Sequence, residues 1–322
     1  MQRLLLKHWG LHKMKPTFKA QPIQVQVPAS SANLGPGFDC LGLALNIYDR
    51  YIAQVMDEPG FDVDVTGEGA ENVPTNDKNL VIKAMYKGFE FLGGRPRGIA
   101  LRQLNVIPHG RGLGSSAAAI VGGLFLARSL VLGGQEKMSL EAMLSIANEM
   151  EGHPDNVSAA IFGNANIAWQ ENQRGAVIAQ SLNIEVDPRI SALAFVPSTE
   201  FSTSKARKML PESIPHIDAV KNSTNTAVLV QALQSRPDLL LGATQDYLHQ
   251  SYRQEAMPHS YALMTKLRSA GVAAFISGAG PSVLVLRTGA DDEAVELEKA
   301  AGERFTMRTL GISRVGAGVI AG

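Results

Sequence analysis

The chain of 322 residues is too long for one small domain and comfortable for two. Apolar residues make up 45% and charged residues 19%, a soluble globular balance that excludes wholesale disorder. Thirty Lys and Arg offset thirty Asp and Glu and only 6% of residues are aromatic, which argues against a nucleic-acid or anionic-membrane binder.

Residues 1–20 read as a poorly specified arm without the pattern of a secretory signal, and Met14 is an alternative start. Gln24–Val27 alternates like a half-buried strand, and a loop punctuated by Pro and Gly is expected from Pro28 to Gly37. Tyr51–Met56 and Phe61–Val65 read as strands and Asn79–Phe91 as a helix stopped by Gly93 and Gly94. Ile99–Ile107 alternates again. Leu113–Leu132 is apolar on nearly every face, the mark of a buried helix. Leu140, Met143, Leu144, Ala147 and Met150 recur at helical spacing up to Gly152.

A strand pair is expected at Ala165–Gln170 and Ala176–Leu182, and a further strand at Ile190–Val196. Helices follow at Thr224–Gln234, Leu239–Gln250 and Pro258–Ala270, the last with Gly271 as its C-cap. Ala273–Ile276 and Val283–Leu286 read as strands, and Asp291–Ala301 opens with acids as a helix N-terminus favours. Strands and helices mix without a βαβ rhythm, so the expected class is α+β, dividing near Gln170–Gly175. One cysteine, Cys40, excludes an internal disulfide framework and fits a reducing compartment.

Three glycine-rich segments carry candidate chemistry. Ser30–Asp39 places Asn33 and Asp39 on a loop stiffened by Gly35-Pro36-Gly37, although an Asx-bonded turn would use the same residues. Pro108, His109, Gly110, Arg111, Gly112, Leu113, Gly114, Ser115, Ser116, Ala117 and Ala118 follow a strand and open a buried helix. Free N–H groups at a helix N-terminus and the helix dipole make an anion site, and phosphate is the usual anion. The plainer alternative is a glycine turn with serine caps. Ser277–Ser282 is a third turn, either a plain hairpin or a close approach to a ligand.

No Walker A pattern occurs. Gly112–Ala117 satisfies the loose dinucleotide fingerprint, but the acid ~20 residues on should end a second strand and Glu136 follows no strand, so a dehydrogenase is set aside.

With these segments in this order, the chain resembles the GHMP kinase family. Pro108–Ala118 matches its central ATP-binding signature and Ser277–Ser282 its third motif. Ser30–Asp39, Gly152–Val157 and Ala160–Gly163 are similar to the branch that phosphorylates homoserine. The resemblance spans about residues 22 to 320. It implies a two-domain fold, with a ribosomal-S5-like N-terminal domain over residues 22–172 and a ferredoxin-like C-terminal domain over 173–322. It implies a cytoplasmic kinase that moves the γ-phosphate of ATP onto the side-chain hydroxyl of L-homoserine, with Mg²⁺. No nucleic-acid or membrane partner is expected, and oligomeric state is left open, a homodimer included.

Residue by residue, the resemblance assigns Asn33, Asp39, His153, Asn156, Thr203, Arg207, Arg253, Gly278 and Gly280 to the homoserine side. It assigns Asn79 and the Pro108–Ala118 segment to the nucleotide, and Ser116 and Glu149 to Mg²⁺, with Glu151 as competitor to Glu149. Asp155, Asn156 and Arg207 are the catalytic candidates, Asp155 as a secondary general base. Asn164 departs from the family's second glycine after Gly163, and Gln250 and Pro258-His259 depart around Arg253.

The chemistry is coherent without the family. Homoserine is a zwitterion with a terminal hydroxyl. A carboxylate such as Asp39 suits its ammonium, and arginines such as Arg207 and Arg253 grip its carboxylate at two points. A sugar or isoprenoid alcohol would not need that combination.

Overall fold

The computed structural model describes residues 15–173, 175–289 and 291–320. Residues 1–14 of the expected arm therefore lie outside the described residues.

A seven-stranded sheet and a four-stranded sheet carry the α+β fold. The larger runs in the order β11 (Gly318–Val319), β1 (Ile23–Asn33), β2 (Gly37–Met56), β4 (Gly98–Asn105), β3 (Gly60–Gly67). Near its start β2 also pairs with β5 (Ala165–Gln173), which continues into β6 (Ala176–Ile184). β3 and β4 run parallel, and the other pairs in this sheet are antiparallel.

The loop expected from Pro28 to Gly37 is mostly strand. β1 runs on to Asn33, with register shifts at Pro28/Ala29 and Ala32/Asn33. Proline lacks a donor N–H, and an irregularity in the ladder lets a strand pass it. The true turn is short: Asn33 (φ 72°) and Leu34 (φ 48°) enter it, and Asp39 (φ 55°) lies just beyond. Non-glycine residues held there are strained, and such strain gathers at functional sites.

Four helices cover the larger sheet: α1 (Leu80–Phe91), α2 (Ser115–Leu130), α3 (Leu140–Glu151) and α4 (Asp155–Phe162). α2 buries residues on every face because α1, α3, α4 and strands β1 and β2 all touch it. α4 was absent from the sequence reading. Gly152 (φ 94°) ends α3 as expected, and the chain re-enters a helix after Pro154. Asn164 adopts φ 53°, a left-handed conformation that Asn tolerates better than most residues, so it can stand where the family has glycine.

The smaller sheet is antiparallel, in the order β10 (Phe305–Leu310), β7 (Ser191–Pro197), β9 (Val283–Arg287), β8 (Ala273–Ile276). The second half also holds α5 (Thr203–Lys208), α6 (His216–Gln234), α7 (Pro258–Ser269) and α8 (Asp291–Ala301); α7 packs on β8 and β9, α8 packs on α7, and α6 touches β6 of the larger sheet. The C-cap of α7 is Ala270, one residue before the Gly271 expected there. The expected helix Leu239–Gln250 survives only as the single turn Leu240–Ala243. The Asp246 carboxylate accepts the backbone N–H groups of Leu248 (2.9 Å), His249 (3.0 Å) and Gln250 (2.7 Å), which replaces the helical ladder there.

Candidate active site

The three glycine-rich segments meet in space. Ser277 Oγ donates to the Gly112 carbonyl at 2.6 Å and lies 2.8 Å from Ser31 Oγ. Gly278 N–H donates to Ala32 O at 3.1 Å, Ser282 N–H to Arg111 O at 3.3 Å and Ser30 N–H to Leu113 O at 3.1 Å. Approach is so close that a Cβ on Gly112 (φ 73°) would lie 2.3 Å from Ser277 O, and one on Gly114 2.1 Å from Ser30 Oγ. Glycine at these positions lets two turns and a strand share one point, and Gly114 is the N-cap of α2.

Around that point lies a cleft of about 180 Å³. Of the sequence candidates it is lined by Asn33, Asp39, Gly110, Gly112, Gly114, Ser115, Ser116, His153, Asp155, Asn156, Thr203, Arg207, Arg253, Gly278 and Gly280. A second cavity of about 300 Å³ shares Gly110, Ser115 and Ser116 with it. Tyr51, Val73, Pro74, Leu80, Val81 and Ala119 give that cavity an apolar wall, and His109 and Asn79 also line it.

Asp39 takes a two-point grip from Arg207, with Nη1 to Oδ2 at 2.9 Å and Nη2 to Oδ1 at 2.6 Å. The hydrogen bond and charge of Asp39 raise the Arg207 pKa against the opposing effect of burial. Asn33 receives the Asp39 N–H on its Oδ1 at 3.0 Å and donates its amide to Gly278 O at 2.9 Å. Arg253 is 2% exposed, and burial, helped by the charge of Arg207, pulls its pKa down to about 10. The Phe38 ring lies 5.6 Å from both guanidinium carbons, a cation–π platform the sequence reading passed over although it adjoins Asp39.

Close by, with the Asp39 carboxylate, His153 ring and Asp155 carboxylate all within 4.8 Å of one another, Asp155 Oδ1 meets His153 Nδ1 at 2.7 Å and accepts the Asn156 N–H at 2.7 Å. Burial works to lower the His153 pKa, but the hydrogen bond and charge of Asp155, with Glu151, outweigh it and the pKa is raised. Ser30 Oγ donates to Asn156 Oδ1 at 2.9 Å, tying the strand β1 to this cluster.

Glu149 is not among the residues lining the cleft and pairs with Lys87 Nζ at 3.1 Å. Glu151 lines the cleft and accepts the Ser116 hydroxyl at 2.8 Å. Burial raises the Glu151 pKa, partly offset by Ser116 and His153. The Arg111 side chain does not line the cleft. Its guanidinium binds the carbonyls of His109 (2.7 Å), Pro197 (3.0 Å) and Ser198 (2.6 Å) and pairs with Glu200 at 3.1 Å. Asn79 lines the second cavity with most of its side chain engaged, and one N–H of its amide is left over for a nucleotide. Its Oδ1 caps α1 through Val81 N–H (2.9 Å) and Ile82 N–H (3.3 Å) and accepts Gln103 Nε2 (3.0 Å), while Nδ2 donates to Pro74 O (2.8 Å). Leu113, Ala117 and Ala118 are core side chains, and Pro108 is buried.

Such a pair of abutting glycine turns beside a helix N-terminus, set in an α+β frame, suits an anion such as phosphate. The chain belongs to the GHMP kinase family: residues 79–164 match the GHMP kinases N terminal domain and residues 229–301 the GHMP kinases C terminal domain. It is 46% identical over 305 residues to the homoserine kinase of Streptomyces coelicolor, covering 95% of this chain and 96% of that one. It is 50% identical over 264 residues to the homoserine kinase of Clavibacter michiganensis subsp. michiganensis, covering 82% of each. The crystal structure of homoserine kinase from Cytophaga hutchinsonii superposes with a TM-score of 0.80 at 27% identity, over 96% of this chain and 100% of that one. No helix among the described residues is long and apolar enough to cross a membrane.

Proposed function

We infer that the chain is an ATP-dependent homoserine kinase, transferring the γ-phosphate to the side-chain hydroxyl of L-homoserine to give O-phospho-L-homoserine on the route to threonine. The observation that carries the choice of acceptor is the charge pattern of the cleft, where Asp39 faces Arg207 and Arg253 beside the glycine turns. The acceptor's ammonium would take Asp39 and its carboxylate the two arginines, exchanging the Asp39–Arg207 pair for two substrate pairs. His153 and Asn156, held by Asp155 and Ser30, line the same cleft beside Asp39.

The nucleotide reading follows from the shared rim. The purine suits the apolar second cavity, and the triphosphate would cross Gly110 and Ser115–Ser116 toward the acceptor. Main-chain N–H groups around Gly112–Ser116 and the α2 dipole suit the phosphates. Phosphoryl transfer asks mainly for positioning and charge stabilisation. Asp155 Oδ1 binds the His153 ring and the Asn156 backbone N–H, so we assign Asp155 the task of orienting His153 and fixing the start of α4.

Mg²⁺ fits Ser116 and Glu151. Both donors are oxygen, they stand 2.8 Å apart, and among the described residues no lysine or arginine forms an ion pair with the Glu151 carboxylate. When bound, the ion would neutralise phosphate charge. Ser116 and Glu151 would hold it from the N-terminus of α2 and the C-terminus of α3.

The same reading keeps the β5–β6 hairpin with the larger sheet and starts the second domain with β7, later than the expected division at 172/173. ATP and a free amino acid as co-substrates suit work in the cytoplasm. The test is ADP release with L-homoserine, mevalonate and sugars side by side. Turnover on homoserine alone supports the reading, and turnover only on an alcohol without an amino acid group rejects it.

A further inference from the structure

Arg253 owes its direction to few groups. Its Nε donates to Ala206 O at 3.3 Å, and Nη1 meets His249 Nδ1 at 3.0 Å and Gly278 O at 3.4 Å. Its Nη2 makes no hydrogen bond among the described residues, and Arg253 lines the acceptor cleft. Of these partners only His249 is a side chain.

His249 is fully buried, so its protonation can be read from its partners. Arginine only donates, which makes Nδ1 the acceptor. On the other side Nε2 stands 2.8 Å from the Gly35 carbonyl, which only accepts, so Nε2 carries the proton. A neutral imidazole in one tautomer satisfies both contacts, and burial pulls its pKa down, with the Arg253 charge acting in the same sense against Asp246 and Asp39. Asp246 accepts the His249 backbone N–H and its Oδ1 stands 3.6 Å from Nε2, while the ring stands 5.0 Å from the Phe38 ring.

Gly35 belongs to the turn that leads to Asp39. One imidazole thus bridges the loop bearing the carboxylate Asp39 and the side chain of Arg253. We propose that His249 is a positioning residue that, by accepting from Arg253 and donating to Gly35, sets the separation between the ammonium-binding and carboxylate-binding groups of the acceptor cleft. The assignment of Arg253 to the acceptor's carboxylate rests on the function proposed above. The bridge itself does not.

The test compares H249L, which removes both contacts at similar volume, with H249Q, whose amide can accept and donate. In H249L the KM for homoserine should rise about tenfold or more, the loss expected when a hydrogen bond to a charged group is removed. Its KM for ATP should stay near wild type, and H249Q should recover most of the loss. Equal rises in both KM values, no rise for homoserine, or H249Q no better than H249L would overturn the proposal. Imidazole nitrogen NMR on the unaltered protein supplies a reading that survives if H249L does not fold. A neutral ring protonated at Nε2 supports the bridge, and an imidazolium or an Nδ1–H tautomer refutes it. Wild-type turnover of homoserine, measured alongside, shows separately whether the acceptor reading holds.

Discussion

Replacing Arg207 by Ala separates recognition from folding. Its guanidinium side chain is 39% exposed and its partner Asp39 36%, so the pair contributes about 0–1 kcal/mol to stability. Such a loss moves the melting temperature by no more than about 4 °C in a chain this long. With substrate bound, the same guanidinium would meet a carboxylate in a cleft shared with the buried Arg253, where a hydrogen bond to a charged group is worth about 1.5–3 kcal/mol. That range corresponds to a rise of roughly 10- to 150-fold in the KM for homoserine. Initial rates of ADP release, with homoserine varied at saturating ATP and then the reverse, separate the two substrates. Thermal denaturation completes the comparison. A KM for ATP that rises as far as that for homoserine, or an unfolded variant, would refute the assignment. Arg253 is a poor choice for this experiment, because its removal strands the buried acceptors His249 Nδ1 and Ala206 O.

Three further outcomes are expected. E151Q should raise the Mg²⁺ concentration needed for turnover, whereas E149Q, which loses only the Lys87 pair, should leave it unchanged; the reverse order would restore Glu149 to the metal. G112A must move a backbone carbonyl that would stand 2.3 Å from its Cβ, and displacement of the phosphate turn by about 1 Å should cost about a hundredfold in kcat/KM, with near-normal kinetics contradicting the packing account. His249 is buried neutral with a pKa pulled below the ordinary imidazole value by burial and Arg253, against Asp246 and Asp39. The unfolded state therefore binds more protons near that value, and this share of stability is full above about pH 6.5 and lost as pH falls, at up to about 1.4 kcal/mol per pH unit. Denaturant titrations of wild type and H249Q should converge as pH drops from neutral, and parallel curves would contradict it.

The glycine segments were legible because their chemistry is local. Alternating glycines ahead of a buried helix announce a close backbone approach whatever surrounds them. The partners of that approach were not legible, since Ser277 and Gly112 are 165 residues apart. Glu149 and Glu151 differ by two positions at a helix end, which places them on different faces. Only the docking of α3 against α2 shows that Glu151 meets Ser116 while Glu149 meets Lys87. Arg111 misled in the same way. It lies in the segment that resembles the family's ATP-binding signature, yet its guanidinium reaches the carbonyls at the end of β7. Phe201 N–H also donates to Gly110 O, so the phosphate turn is laced to the segment leading into α5, which carries Arg207. In the fold, alternation and apolar runs located most strands and the buried helix. The helix drawn through Leu239–Gln250 failed because one side chain, Asp246, captures three amides that a helix would have used.

The most direct test is a crystal structure with a non-hydrolysable ATP analogue and L-homoserine bound together. The triphosphate should lie on the turn at Gly110–Ser116, with the homoserine carboxylate on Arg207 and Arg253, its ammonium on Asp39, and its hydroxyl toward the γ-phosphate. Nucleotide seated away from that turn, or homoserine bound without touching Asp39 and the two arginines, would contradict it.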